Sequence, residues 1–266
     1  MNLNEIKIQN KDKMPLLFVG HGTPMNAIER NIFTDEWEKI GKALPKPDSI
    51  LCISAHWETK GTYFTAMDKP ETIHDFGGFP RELYEVQYPA PGNYSLASES
   101  KELIKGSGLD MDWGLDHGCW SVLKRMYPDA DIPVVQMSLD YSKDAKYHFD
   151  IAKGLMPLRY KKVLIIGSGN IVHNLRLVDW RQDIGSGFDW AREANEKLKT
   201  LIRNNDYESL INYRALGKEM SLAIPTPEHY LPLLYILALK DENEQIEFFN
   251  DILEYGSLAM TSIIVS

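Results

Sequence analysis

Seven histidines occur among the 266 residues, and three of them follow one pattern: a short apolar run, a few small residues, then the imidazole. The runs are LLFVG before His21, ILCISA before His56 and VLIIGSG a few residues before His173. Strands built from these runs deliver three imidazoles to one edge of a sheet. In an open parallel α/β sheet the carboxyl ends of the strands form the ligand crevice, and neutral imidazole is the commonest side-chain metal ligand. A metal site at the strand carboxyl ends is the expectation.

Each motif also has an ordinary reading. His21 in GHGTPM lies between glycines, which allow a sharp turn beside a ligand, or the ring simply caps a carbonyl. His56 in SAHWET is followed by Trp57 and by Glu58, a carboxylate that either orients a metal-bound imidazole or is a solvated loop charge. GSGNIVHNL, with His173, fits a dinucleotide loop poorly, because Val172 stands where a third Gly or Ala is needed. In PTPEHYLPLL, Glu228 and His229 are adjacent and point about a quarter-turn apart at a helix start, so one of the two ligates at most. In LDHGCW, Asp116 caps a helix, and His117 either reaches a pocket as a proton donor or is an ordinary first-turn residue. His74, in the loop TIHDFGGFP with Phe76 and Phe79, reads as a surface group, the alternative being part of an aromatic lid, and His148, in KYHFDI, reads as solvated.

These residues need a scaffold. Buried strands are expected at 16–20, 49–55, 62–67, 133–139, 162–167 and 260–265. Helices are expected at 36–43, 95–106, 117–126, 144–156, 188–204, 207–213 and 228–240, the last opened by Pro225 and Pro227 with Glu228 in its first turn. This succession is an α/β pattern of one domain. Residues 1–14 read as a solvated tail, partly ordered at the IKI triplet, and 15–266 as the single folded domain that carries these motifs. A net charge of −9 argues against nucleic acid or an anionic membrane as partner. Two isolated cysteines and no signal-like or membrane-spanning run point to the cytoplasm.

Taken in order, HGTPM, SAHWET, LDHGCW, GSGNIVHNL and PTPEHYLPLL resemble the signature of class III extradiol ring-cleavage dioxygenases of the DODA type, across nearly the whole chain. The resemblance implies one α/β domain with a central mixed, mostly parallel sheet flanked by helices. It further implies a mononuclear non-haem metal and oxygen-dependent opening of a catechol such as DOPA. Carried onto this chain, the metal ligands fall at His21, His56 and His229, with His173 a further metal contact or the acid–base residue and His117 facing the substrate. Fe(II) is the metal the chemistry needs, and Zn(II), which has no redox chemistry, would also suit an imidazole-rich site. Trp57, Trp120 and Tyr230 are candidates to wall the catechol ring. The competing reading is a zinc hydrolase of a small ester or amide, using the same histidines with a metal-bound hydroxide.

Overall fold

The computed structural model describes residues 13–266. Its strands are β1 (Leu16–Gly20), β2 (Ser49–Thr59), β3 (Tyr63–Thr65), β4 (Gly108–Asp110), β5 (Val134–Asp140), β6 (Val163–Gly169), β7 (Ile246–Phe249), β8 (Leu253–Glu254), β9 (Leu258–Ala259) and β10 (Ser262–Val265). The helices are α1 (Ile32–Ala43), α2 (Arg81–Tyr84), α3 (Tyr94–Leu103), α4 (His117–Met126), α5 (Ala145–Ala152), α6 (Met156–Arg159), α7 (Asp189–Arg203), α8 (Tyr207–Ile211), α9 (Lys218–Ala223) and α10 (Leu231–Ala238).

Eight strands form one sheet in the order β4-β3-β5-β2-β6-β1-β10-β7, and β8 and β9 form a separate small pair. The four central strands, β5, β2, β6 and β1, are parallel, while β3 on one side and β10 and β7 on the other introduce antiparallel pairings. The central strands are apolar without alternation because both faces are covered. Alternate side chains serve the two cores. Leu16, Phe18, Leu51, Ile53 and Ile165 pack towards α5, α7 and α10. Leu17, Val19, Ile50, Cys52 and Ile166 pack towards α1 and α4. Helix α10 is buried from Leu231 to Leu237, and each large aliphatic side chain removed from water there contributes roughly 1.5–3 kcal/mol.

Several boundaries differ from the sequence expectation for local reasons. Helix α1 begins at Ile32 because Asn31 and Thr34 form a reciprocal cap, the Asn31 side chain accepting from Phe33 N and Thr34 N and Thr34 Oγ1 accepting from Asn31 N. Helix α10 starts at Leu231, so Glu228 lies in the preceding turn and not in the helix. The short elements β4, β7 and α9 were not expected. Of the supposed tail, residues 1–12, including the IKI triplet, lie outside the described residues, whereas Lys13 and Met14 are buried.

Candidate active site

The register of β1, β6 and β2 sets their carboxyl ends level: Gly20 pairs with Gly169, and Ser54 with Ser168. His21 follows β1 directly, its backbone N donating to Gly169 O at 3.1 Å. His56 lies within β2 and not beyond it, since the strand runs on to Thr59. From Ile53 to Glu58, β2 advances five residues while β5 advances only two, from Met137 to Leu139. This bulge re-aims the backbone and turns His56 toward its neighbours. The turn before α10 brings in His229, whose carbonyl accepts from Asn170 N at 2.9 Å. A Cβ on Gly169 would lie 2.1 Å from that carbonyl oxygen, so only glycine permits the approach.

The outer nitrogens of three rings are tied down. His21 Nδ1 lies 3.0 Å from Ser168 Oγ, whose hydroxyl proton goes to Gly118 O, so the histidine must be the donor. His56 Nδ1 faces Asp75 Oδ2 at 3.4 Å, and His229 Nδ1 faces Glu228 Oε1 at 3.2 Å. In each ring the proton sits on Nδ1 and Nε2 presents a lone pair. His21 Nε2 and His56 Nε2 point at each other across 3.0 Å, and His229 Nε2 is buried with no partner at all. Ligand atoms of the three rings lie within 4.8 Å of one another. Lone pairs that converge in a buried place repel unless a cation lies among them, so this donor set fits a metal.

Electrostatics agree. Burial, and then the neighbouring rings, hold His21 well below the ordinary histidine value and bring His56 down to about 3. His229 is likewise depressed, by burial and then by His173. Rings kept neutral at pH 7 keep their lone pairs.

His173 and His117 flank this group. His173 stacks on His229, centroids 3.5 Å apart and planes 8° from parallel, and does not join the three converging rings. Burial, and then His117, lower it to about 4. His117 opens α4, which Asp116 caps by accepting from Cys119 N at 3.1 Å, as expected. Asp75 grips His117 twice, accepting from its backbone N at 2.8 Å and from Nδ1 at 2.9 Å. For Asp75, burial works upward, yet the His117 hydrogen bond and the nearby imidazoles outweigh it and leave the carboxyl below its usual range.

The histidines open onto a cavity of about 390 Å³ walled by Pro24, Phe76, Phe79, Leu175, Trp180 and Leu258. That size suits a small aromatic ligand. A groove of about 590 Å³ near the ends of α1 and α4 is larger, but none of the histidines lines it, and Lys46 pairs there with Asp131 and Arg125 with Glu38. The three aromatics expected to wall the ring are absent from the cavity lining. Trp57 stacks on Trp113, the Trp120 indole donates to Ile73 O at 2.8 Å, and the Tyr230 hydroxyl donates to Leu210 O at 2.9 Å in the core. Glu58 is exposed and makes no contact with His56 of the kind proposed for it. His74 is half-buried and donates to Val86 O at 3.0 Å. His148 is fully buried, not solvated, between the Tyr235 hydroxyl at 2.8 Å and Asp140 O at 3.2 Å.

Comparison with known proteins bears directly on this arrangement. The family described as the catalytic LigB subunit of aromatic ring-opening dioxygenase matches residues 15–265. The chain belongs to the LigB family. Within that family it is 48% identical over 263 residues to a 4,5-DOPA dioxygenase extradiol of Escherichia coli (strain K12), covering 96% of each chain. It is 39% identical over 260 residues to the protein of the same name from Beta vulgaris, covering 92% of this chain and 96% of that one. The crystal structure of an uncharacterized protein from Escherichia coli K12 superposes with a TM-score of 0.84 at 43% identity, covering 96% of this chain and all of the other. LigB-family membership makes the chain an aromatic ring-opening dioxygenase with a metal requirement. Sequence reasoning missed Asp75, which lines the cavity and holds His117. The signal was present in HDFGGFP, where the acid adjoins His74, but nothing in the loop's sequence shows that it folds onto α4.

Proposed function

We propose that the chain is an extradiol dioxygenase that opens a catechol bearing a side chain like that of DOPA, with Fe(II) held by His21, His56 and His229. The observation that carries this reading is the convergence of three imidazole lone pairs, each fixed by an acceptor on its far nitrogen. Bound there, ferrous iron supplies the one-electron chemistry through which a catechol ring and dioxygen react.

The protein's own groups do the rest. His173 is neutral at pH 7 and lines the cavity, which makes it the base for a phenol proton and, once protonated, the acid that returns it. Asp75 holds the His117 proton on Nδ1, leaving His117 Nε2 free to accept a hydrogen bond from a catechol hydroxyl. Phe76, Phe79 and Leu258 exclude water around the ring. The substrates are a small catechol and O2. Zinc would fill the same donor set and leave the protein inactive toward oxygen. No observation favours the hydrolase reading over the oxidative one. A reducing cytoplasm suits the two buried free cysteines, Cys52 and Cys119, and no helix among the described residues is long and apolar enough to cross a membrane.

The test is to load metal-free protein with Fe(II) anaerobically, add DOPA and oxygen, and follow oxygen uptake with the absorbance of a yellow ring-opened semialdehyde. Stoichiometric uptake with a yellow product is expected. Iron-loaded protein that consumes no oxygen with any catechol would overturn the assignment.

A further inference from the structure

Among the described residues, the cavity over the histidines carries one carboxylate, Asp75, and no lysine or arginine. A second pocket of about 240 Å³ adjoins it, and His173 and Leu175 belong to both. Its walls carry opposite charges. Two segments supply them, Arg176 from the short helical turn Leu175–Leu177 beyond β6 and Glu228 from the turn before α10. The Arg176 guanidinium makes no hydrogen bond or ion pair among the described residues, although the Arg176 backbone is fixed by donating to Asn174 Oδ1 at 3.1 Å. Glu228 uses Oε1 to accept from Thr226 Oγ1 at 2.7 Å and from His229, and leaves Oε2 free. Arg81 is exposed, bonded to Glu85 at 2.8 Å, and lines neither cavity. Arg176 is therefore the cation that a substrate reaching past His173 would meet.

We propose that this side pocket is the subsite for the zwitterionic end of an amino-acid catechol, Arg176 pairing with the α-carboxylate and Glu228 with the α-ammonium. The assignment rests on the catechol-opening reading and adds to it the feature that distinguishes an amino-acid substrate from a bare catechol. Opposite charges held apart on two walls match a zwitterion and oppose its reversal, because turning the ligand around would place like charges together. A planar guanidinium also matches a carboxylate in shape, accepting it through two parallel N–H donors.

Equilibrium binding to the zinc-loaded protein tests this without turnover. L-DOPA, dopamine, 3-(3,4-dihydroxyphenyl)propanoate and 4-methylcatechol are titrated calorimetrically into the wild type and into Arg176→Met. In the wild type, L-DOPA binds more tightly than 4-methylcatechol. In Arg176→Met the ratio of their dissociation constants moves about tenfold toward parity, and the propanoate weakens relative to dopamine by a similar factor. Glu228→Gln shifts the preference in the other sense, weakening dopamine relative to the propanoate. Equal binding of L-DOPA and 4-methylcatechol by the wild type, or an Arg176→Met loss that falls equally on all four ligands, overturns the subsite. Iron-loaded protein that opens 4-methylcatechol without preferring L-DOPA would sink the subsite and the DOPA-like side chain while leaving extradiol ring opening in place. Iron-loaded protein that opens no catechol would sink the reading beneath it, while the zinc titration still judges the subsite.

Discussion

Strands β1 and β6 each have a polar cluster at both ends, and the two clusters are built to opposite rules. At the amino ends lies Arg159, fully buried, with Nε donating to Met14 O at 2.9 Å and Nη1 to Leu239 O at 2.7 Å and Glu244 Oε2 at 2.9 Å. Lys13 pairs with Asp241 and, at 3.1 Å, with the same Glu244. Each guanidinium nitrogen has an acceptor, and the charges cancel locally. At the carboxyl ends, His21, His56 and His229 are satisfied on their outer nitrogens and left with lone pairs facing inward. Complete satisfaction makes a clamp that holds chain segments far apart in sequence. Satisfaction on one side only makes a site, since the unmet side selects what binds there.

The contrast breaks most sharply at His229. His229→Leu removes the ligand atom that has no protein partner, so bound metal falls to background and turnover drops by at least about a thousandfold. Stability should move the other way. An apolar side chain relieves a buried, unpaired nitrogen, so the metal-free variant is expected to melt no lower than the metal-free wild type. Metal analysis, steady-state rates and calorimetry check the three parts, and a marked loss of stability in the metal-free form would place His229 with the structural clamp. Arg159→Met is the reciprocal experiment. It removes the buried guanidinium from Glu244, which keeps Lys13 and the Asp241 N–H as partners, so the cost in urea unfolding is about 3 kcal/mol, the low end for a broken buried pair, with kcat per folded molecule unchanged. A drop in kcat as large as the drop in stability would mean that the two ends are coupled through β1 and β6.

A third buried polar site sharpens the comparison through pH. Burial above all depresses His148 to about 4, despite the Asp140 carbonyl and carboxylate favouring its charged form. Unfolded, this histidine takes up a proton near pH 6.5, whereas folded it does so only near 4. Between those values the unfolded chain binds more protons, so stability is full above pH 6.5 and falls as the pH descends toward 4, by about 3 kcal/mol from this group. His148→Gln keeps a donor for Asp140 O and an acceptor for Tyr235 but cannot titrate. Urea unfolding at pH 7 and pH 4.5 should show the variant losing less stability on acidification than the wild type, and parallel losses would show that His148 does not carry the effect.

These residues also mark how far the sequence could be read. Strands β1, β2 and β6 were legible because a buried parallel strand must be an unbroken apolar run, and α4 because Asp116 announces its cap. His21, His56 and His173 followed from those strand ends, and His229 and His117 were assigned to the site through the family resemblance. His148 was misread because its helix looks polar, and its partner Tyr235 lies 87 residues further on. Trp57, Trp120 and Tyr230 were placed in the wrong wall because an aromatic residue's type does not show which way the backbone turns it. The bulge that carries His56 depends on a mismatch with β5, which a single strand's sequence does not contain.

Asp75 lies between the two rules and provides the finest test. It is satisfied by His117 N and Nδ1, like a group in the clamp, yet it lines the cavity and touches His56. Asp75→Asn can still accept the backbone N–H through its oxygen, so the loop should remain docked and the melting temperature should change little. Its NH2 would then face the His117 Nδ1 proton, and the ring must flip or carry its proton on Nε2, toward the substrate. Losses of about 10- to 100-fold are typical when such orienting carboxylates are removed, and here they should fall on kcat, with KM nearly constant and metal content only modestly reduced. A kcat within twofold of the wild type would assign Asp75 to the same class as Glu244, a carboxylate that secures the chain and does not prepare a base.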